Sequence, residues 1–517
     1  MIRFSKGLLG RSAGAACLSM LWAAGAASAD QPGDFTYDVI NGTTITITGY
    51  SSTAPNAVVI PAAIDGKDVT AIGTAAFQGR TTITSVVMPN TLLAIGNNAF
   101  LNCLSLNAVT WPTNLLSIGD SAFYRCLSLT ALPLPADLTS IGKNAFFLCQ
   151  NVTSVNIPST VATIGNFGFG SCSSLTSVTL PQGVTVIATG TFSNCNSLQS
   201  VSIPDSVTEI QSQAFLNCIA MASVTLPPNL ITIGNKAFSN CRSLQTIEIP
   251  AFVDSIGTEV FSSCRALTSI TVNAANPKFS SVGGVLFKNE GKTLIAFPPG
   301  VAGNYSVPGG VDAIDFKAFY TCNKLVNLTL PASLLSVAQQ AFSSCTLLLS
   351  VHFTGNAPDL VPNAFEGEDP SFAIYYPLSA TGYADYPWDS LIYPVIPEGS
   401  SDPFGAWLSS NGLATNSNPH EDSNVDGVGL LMAYALNLDP DANLSGMTPT
   451  PVFAFGQASL SYWSGAAGIT YRAEWSHDLQ NWSTNDVIVS GPDANQMSTA
   501  VMPIVGQTFY VRLAVSN

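Results

Sequence analysis

The sequence predicts a solenoid, mainly β, of about 12 stacked coils of 23 residues with a parallel sheet and short turns. Three columns of residues predict it. Cys103, Cys126, Cys149, Cys172, Cys195, Cys218, Cys241 and Cys264 stand 23 residues apart, and Cys322 and Cys345 repeat the interval. Three residues ahead of the cysteine runs a phenylalanine column from Phe77 to Phe342, and eight ahead an isoleucine column from Ile72 to Ile314, closed by Val337. A fixed period of this length marks repeated structural units. One unit cannot bury such a stripe alone, so the core forms between neighbours.

Within a unit, apolar residues follow the cysteine at the third, sixth and eighth positions, as in Leu175, Val178 and Leu180, and Pro181 follows at once. Leu175-x-x-Val178-x-Leu180 is an L-x-x-L-x-L pattern whose last residues form a short strand, alternating inward and outward. Proline then ends the strand because it has no N–H for a ladder. The rest of the unit, as in Val184 to Phe192, crosses the stack with Ile and Phe inward. Each large apolar side chain fully buried this way stabilises by about 1.5 to 3 kcal/mol.

The unit A-F-x-x-C-x-x-L-x-x-V-x-L-P-x-x-L-x-x-I-G resembles the leucine-rich repeat of the BspA-like family of bacterial surface and secreted proteins, over residues 35 to about 395. Phe35 to Tyr50 resembles that family's opening hairpin, with Asn41-Gly42 as the turn. Residues 273–299 resemble its hairpin insertion, which lengthens one cysteine interval from 23 to 58 residues, and residues 355–395 its closing cap. The resulting division is a cap hairpin at 30–65 and a repeat solenoid at 66–395. The resemblance implies a non-catalytic role in recognition or adhesion toward proteins or cell surfaces.

Residues 1–29 carry Arg3, Lys6 and Arg11, an apolar stretch and Ala27-Ser28-Ala29, the pattern of a signal peptide cleaved near Ala29/Asp30. The expected location is therefore secreted or extracellular surface. No second apolar run is long enough to span a bilayer. The formal net charge of −15 becomes more negative once the leader is removed. Nucleic acid and anionic membranes are poor partners for such a chain.

Ten cysteines in an exported chain suggest disulfides. Adjacent coils also bring equivalent Cα atoms within disulfide range. Against this, equivalent side chains on stacked coils point the same way, and Arg80 fills the column at its start, which favours buried thiols acting as small apolar fillers. Thiol and disulfide both stand at this point.

The outward positions of the strands, read as the concave side, are the fifth and seventh after each cysteine. They present Ser154, Asn156, Ser177, Thr179, Ser200, Ser202, Ser223, Thr225, Thr246 and Glu248, a surface of short polar groups without the Trp, Tyr and Arg that dominate protein hot spots. Two readings stand, a broad adhesion face or a solvated sheet surface. Tyr375, Tyr376, Tyr383, Tyr386, Trp388 and Tyr393 form an aromatic cluster, read as a cap over the last coil's core.

Past a linker at 396–403, residues 404–447 read as a helical segment with a degenerate calcium loop. Asp422, Asn424 and Asp426 occupy the first, third and fifth ligand positions, Gly427 the turn, and the Val428 carbonyl the seventh. Ala433 stands where a bidentate Glu is expected, so the alternatives are weak calcium binding and a helix-capping relic. The stretch resembles the dockerin-like module that joins secreted bacterial proteins to a terminal β domain. Residues 448–517 alternate as strands and are expected to form that domain, β-sandwich-like, with Trp475 and Trp482 in its core or on a sugar site.

No catalytic motif, phosphate loop or zinc spacing is evident, and His352, His420 and His477 stand beside no recognisable nucleophile in sequence. The chain is not expected to be an enzyme or to hold a cofactor, weak calcium aside. Three functions remain: a recognition or adhesion scaffold, an architectural or self-associating surface protein, and a carbohydrate-binding accessory protein acting through its C-terminal aromatics.

Overall fold

In the computed structural model, residues 32–361 are described without a break, followed by most of 363–398 and by separate segments between 452 and 516. The leader at 1–29, residues 399–403 of the linker and the 404–447 segment with Asp422, Asn424, Asp426 and Val428 lie outside the described residues.

The described repeats form a β-solenoid whose neighbouring coils pair in parallel. One ladder follows the expected strands: Ala131–Pro133 pairs with Ser154–Asn156, and Ser177–Thr179 with Ser200–Ser202, so that Val178 lies beside Val201. A second parallel ladder, absent from the sequence reading, runs along the isoleucine column, pairing Ile72 with Ile95, Ile95 with Ile118 and Ile118 with Ile141. Its strands are two residues long, too short for alternation to appear in sequence. Glycine after the isoleucine lets the coils approach, since a Cβ on Gly142 would lie 2.5 Å from the Gly119 carbonyl carbon.

Between glycine and cysteine the chain makes a run of turns in which main-chain N–H groups alternate between two kinds of partner. The Ser121, Phe123 and Arg125 N–H groups donate to Lys143, Ala145 and Phe147 carbonyls of the next coil at 2.7 to 2.8 Å. Ala122, Tyr124 and Cys126 donate locally to Gly119, Ser121 and Phe123 at 3.1 to 3.3 Å. The alternation requires left-handed backbone twice per coil, five residues and one residue before the cysteine, as at Ser121 (φ 55°) and Arg125 (φ 59°). Non-glycine residues rarely adopt this conformation, and here the coil-to-coil bonds hold it.

The core is a column of stacked rings. From Phe77 to Phe261 successive phenylalanines lie 4.8 to 6.2 Å apart, centroid to centroid, with planes 4 to 13° from parallel. Tyr50 covers the first ring at 5.3 Å. The opening hairpin forms as expected, Phe35–Ile40 antiparallel to Thr44–Tyr50, with Asn41 and Gly42 both at positive φ.

All ten cysteines from Cys103 to Cys345 are free and buried. Nine of their thiols lie 2.9 to 3.3 Å from the carbonyl of the preceding coil's phenylalanine, positioned to donate to it, as Cys218 to Phe192. The column therefore consists of thiols that serve as hydrogen-bond donors as well as fillers. Arg80 does the same work at its head. Its guanidinium donates to the carbonyls of Tyr50 and Ser51, in the coil that precedes Phe77.

The solenoid has about 15 turns, more than the 12 read from the motif, because turns without cysteine also join the stack. The interval from Cys264 to Cys322 holds one of them. Its insertion holds a hairpin, Phe279–Val282 with Val285–Lys288, to which a third antiparallel strand, Thr293–Ala296, is added. The third strand enters the isoleucine ladder beside Ala313–Ile314, and Phe297 begins a second ring column, 4.9 Å from Phe319. At the C-terminal end, Ala373–Pro377 pairs with Val395–Glu398, so residues 396–398 continue the ladder instead of forming linker.

The described C-terminal strands are antiparallel: Val452–Ala454, Gln457–Trp463, Met497–Pro503 and Ile488–Ser490 in one sheet, and Thr470–Ser476 with Tyr510–Ser516 in another. The strands at 488–490 and 497–503 were not legible in the alternation.

Candidate recognition face and adjacent cleft

Ser154, Asn156, Ser177, Thr179, Ser200, Ser202, Ser223, Thr225, Thr246 and Glu248 are all exposed. Their inward neighbours Val178, Val201 and Ile247 are buried, so the pleat fixes each pair toward solvent. Register then aligns them: Ser177 faces Ser154 and Ser200, and Thr179 faces Ser202. The ladder lapses at Ser223-Val224-Thr225, which is not a strand, and resumes at Thr246–Ile249. Glu248 is the one charge among the ten.

Toward the C-terminal end the same two columns carry a polar chain that the sequence reading missed. The Ser350 hydroxyl donates to Asn327 Oδ1 at 2.7 Å, and Asn327 Nδ2 donates to Asn304 Oδ1 at 2.8 Å. Ser350 Oγ is 2.8 Å from His352 Nε2, and His352 Nδ1 meets the Glu398 carboxylate. The order serine, histidine, carboxylate resembles an acyl-transfer triad, but the serine is buried and its hydroxyl is bonded elsewhere. The Ser350 hydroxyl instead donates to Asn327 Oδ1, so its proton is directed along the sheet and not at the imidazole. Ser350 is also buried, 7% exposed, beneath the histidine that stacks on Tyr375 at 4.7 Å. The chain fastens the closing strand to the sheet. The available signal was the spacing of Ser350 and His352, two apart on one strand and hence on one face.

The aromatic cluster is largely internal. Tyr383 and Trp388 are buried, Trp388 Nε1 donates to the Pro358 carbonyl at 3.0 Å, and Tyr376 stacks on Tyr383 at 4.1 Å. Burial pushes the Tyr383 phenol well above its ordinary value. Tyr386 and Trp482 lie outside the described residues, as does the Trp475 side chain.

At the insertion the stack opens into a cleft of about 420 Å³ between the coil holding Asp254–Ser262 and a wall formed by Leu286, Ile295, Phe297, Phe316, Ala318 and Tyr320. Its charges are paired, with one another or with lysines beside it. Glu259 lies 3.3 Å from Lys317 and 3.6 Å from Lys236, Lys288 pairs with Asp315, and Asp254 lies 2.6 Å from Lys278. Lys236, Glu259 and Lys317 occupy the same repeat position, so stacking alone places the carboxylate between two ammonium groups. Among the described residues no group of three or more His, Cys, Asp or Glu could hold a metal ion, and no helix is long and apolar enough to cross a membrane.

The paired ladders, ring column and outward polar face define a leucine-rich-repeat solenoid. The chain belongs to the BspA type leucine-rich repeat family: that family's model, a region of six copies, matches residues 70–199, 185–303 and 302–382, more than half of the chain. Among solved structures, a leucine-rich repeat protein from Bacteroides ovatus is similar at 24% identity and TM-score 0.52, covering 70% of this chain and 98% of that one, which shows the shared fold. A leucine rich cell surface protein from Faecalibacterium prausnitzii is similar at 26% identity and TM-score 0.41, covering 75% of this chain and 97% of that one. The T. pallidum leucine rich repeat protein is similar at 29% identity and TM-score 0.33, covering 46% and 88% respectively. No curated protein matches.

Proposed function

We propose that this chain is a secreted or cell-surface scaffold that recognises proteins or cell surfaces through its strand face and catalyses no reaction. One observation carries the reading. Nine short polar side chains and Glu248 stand exposed on neighbouring coils, much of the array on a ladder whose register fixes their spacing. Such a surface suits many weak contacts made together, where avidity replaces the single aromatic anchor. The signal-like segment at 1–29 supports export. The burial of Tyr383 and Trp388 removes two aromatics from the carbohydrate-binding alternative.

The test applies the chain lacking residues 1–29 to arrays of matrix proteins and glycans, beside a variant carrying Ser177→Arg and Ser200→Arg. Hits that the double substitution removes support the proposal. Hits retained by residues 404–517 alone support carbohydrate binding, and an absence of hits supports an architectural role.

A further inference from the structure

Each regular coil is covered by the next through the same main-chain groups. The Thr208 and Ile210 carbonyls accept from the Ile231 and Gly234 N–H groups at 2.8 and 2.7 Å, while the Gln213 and Phe215 N–H groups donate to the Asn235 and Ala237 carbonyls at 2.9 and 2.8 Å. One coil on, the Ile231 and Ile233 carbonyls accept from Asp254 and Gly257 at 2.8 Å each, and Lys236 and Phe238 donate to Thr258 and Val260 at 3.0 and 3.1 Å. On the far side of that coil the series stops. Among the described residues no N–H reaches the Asp254 or Ile256 carbonyl from that side, and the Glu259 and Phe261 N–H groups reach no acceptor. Only Ser263 N–H is met, by Thr321 Oγ1 at 2.8 Å.

The insertion causes the gap. Thr293–Ala296, the next strand of this ladder, pairs instead with Val285–Lys288 and Ala313–Ile314. Phe297 N–H takes the Ala318 carbonyl at 2.8 Å, the acceptor that Phe261 N–H would reach if the two cysteine coils stacked directly. Two carbonyls and two N–H groups therefore line one wall of the cleft, opposite Leu286, Ile295 and Phe297.

We infer that this cleft is a binding site for an extended, uncharged peptide, which adds as a parallel strand to the free edge at Ser255–Ile256 and places a β-branched apolar residue against the opposite wall. A row of main-chain acceptors followed by donors is complementary to polypeptide backbone, and edge addition is an established mode of peptide capture. The residue type is read from the chain itself, since this edge is covered elsewhere by isoleucine followed by glycine, as Ile233-Gly234 covers the coil of Ile210. The absence of charge follows from the ion pairs, in which Asp254, Glu259, Lys288, Asp315 and Lys317 already have partners. The site is separate from the strand face, and its occupancy does not depend on that face binding anything.

The probe is acetyl-Ile-Thr-Ile-Gly-Asn-amide, the sequence of residues 231–235, titrated into the full chain and followed by hydrogen exchange with mass spectrometry and by fluorescence anisotropy of a labelled copy. Saturable binding should slow exchange at the Glu259 N–H, the donor that the last peptide carbonyl of the probe would meet. A peptide with sarcosine in place of glycine lacks the N–H that would reach the Ile256 carbonyl and should bind about three- to tenfold more weakly, the loss of one neutral hydrogen bond. Ala296→Trp, which fills the cleft, should abolish binding with the circular dichroism spectrum unchanged. Absence of saturation at millimolar peptide, equal binding of the sarcosine peptide, or protection confined to other segments overturns the inference. The sarcosine comparison uses the unaltered protein, so it decides even if the tryptophan variant fails to fold.

Discussion

The ring column makes its sharpest prediction through two phenylalanines at one repeat position. Phe192 is fully buried and stacked on both sides, 5.8 Å from Phe169 and 5.6 Å from Phe215. Phe261 stacks on Phe238 alone among the described residues, at 6.2 Å, with the cleft on its other side. Phe192→Ala loses the transfer energy of the ring and leaves a closed cavity, together about 3 to 5 kcal/mol. Each ring pair contributes about 0.5 to 1.5 kcal/mol beyond burial. Phe261→Ala forfeits one pair instead of two, and its cavity merges with an open cleft, so it should cost about 1 to 2 kcal/mol less. Urea unfolding followed by far-ultraviolet circular dichroism measures both against the unaltered chain. The closed cavity also separates two coil interfaces in a structure stabilised between neighbours, so the Phe192 variant should broaden the transition as well as shift it. An unchanged midpoint for Phe192→Ala, or a loss for Phe261→Ala as large as for Phe192→Ala, would refute the column as drawn.

The thiols give a second prediction. Burial pushes Cys149, Cys195 and Cys264 up to about 12 and holds Cys126, Cys172, Cys218 and Cys241 well above the ordinary thiol value of 9.0. Iodoacetamide at pH 8 should spare the native column and modify all ten residues after denaturation, whereas native labelling or missing thiols would contradict it. Because the folded value lies above the unfolded one, this stabilisation is complete below pH 9 and is lost as pH rises above 9. Melting temperatures flat across that window would count against the burial. For the calcium loop, the proposal is weak binding by Asp422, Asn424, Asp426 and the Val428 carbonyl. Calorimetry of the full chain should show millimolar heats that Asp422→Ala with Asp426→Ala removes, and silence in the unaltered chain would end it.

The Phe, Ile and Cys columns were legible because core packing constrains side-chain type at every repeat. The second ladder and the left-handed turns were not, since main-chain bonds between coils do not depend on side chains. Their positions hold Asn98, Arg125, Leu148, Phe167 and Lys236 alike at positive φ. Asn at 98, 102, 144, 194, 217 and 240 was the one available hint, asparagine being the non-glycine residue most tolerant of that conformation. The polar face was legible as a face, because period two assigns direction. The chain from Asn304 to Glu398 was not, because it joins residues up to 94 positions apart.

The same indifference of the ladder to sequence explains where binding chemistry can arise in such a fold. A regular coil consumes its main-chain groups on both sides, so side chains face the solvent, and on the strand face those are short and, Glu248 aside, uncharged. A coil whose neighbour is displaced keeps its donors and acceptors and offers them to any chain that can take the neighbour's place. The change in cysteine interval from 23 to 58 residues signals such a displacement in sequence. It cannot say which groups are left unpaired, because the insertion returns one strand, Thr293–Ala296, and one ring, Phe297, to the stack and leaves the edge at Ile256 uncovered. An irregularity of length thus becomes a site only through the geometry of its return.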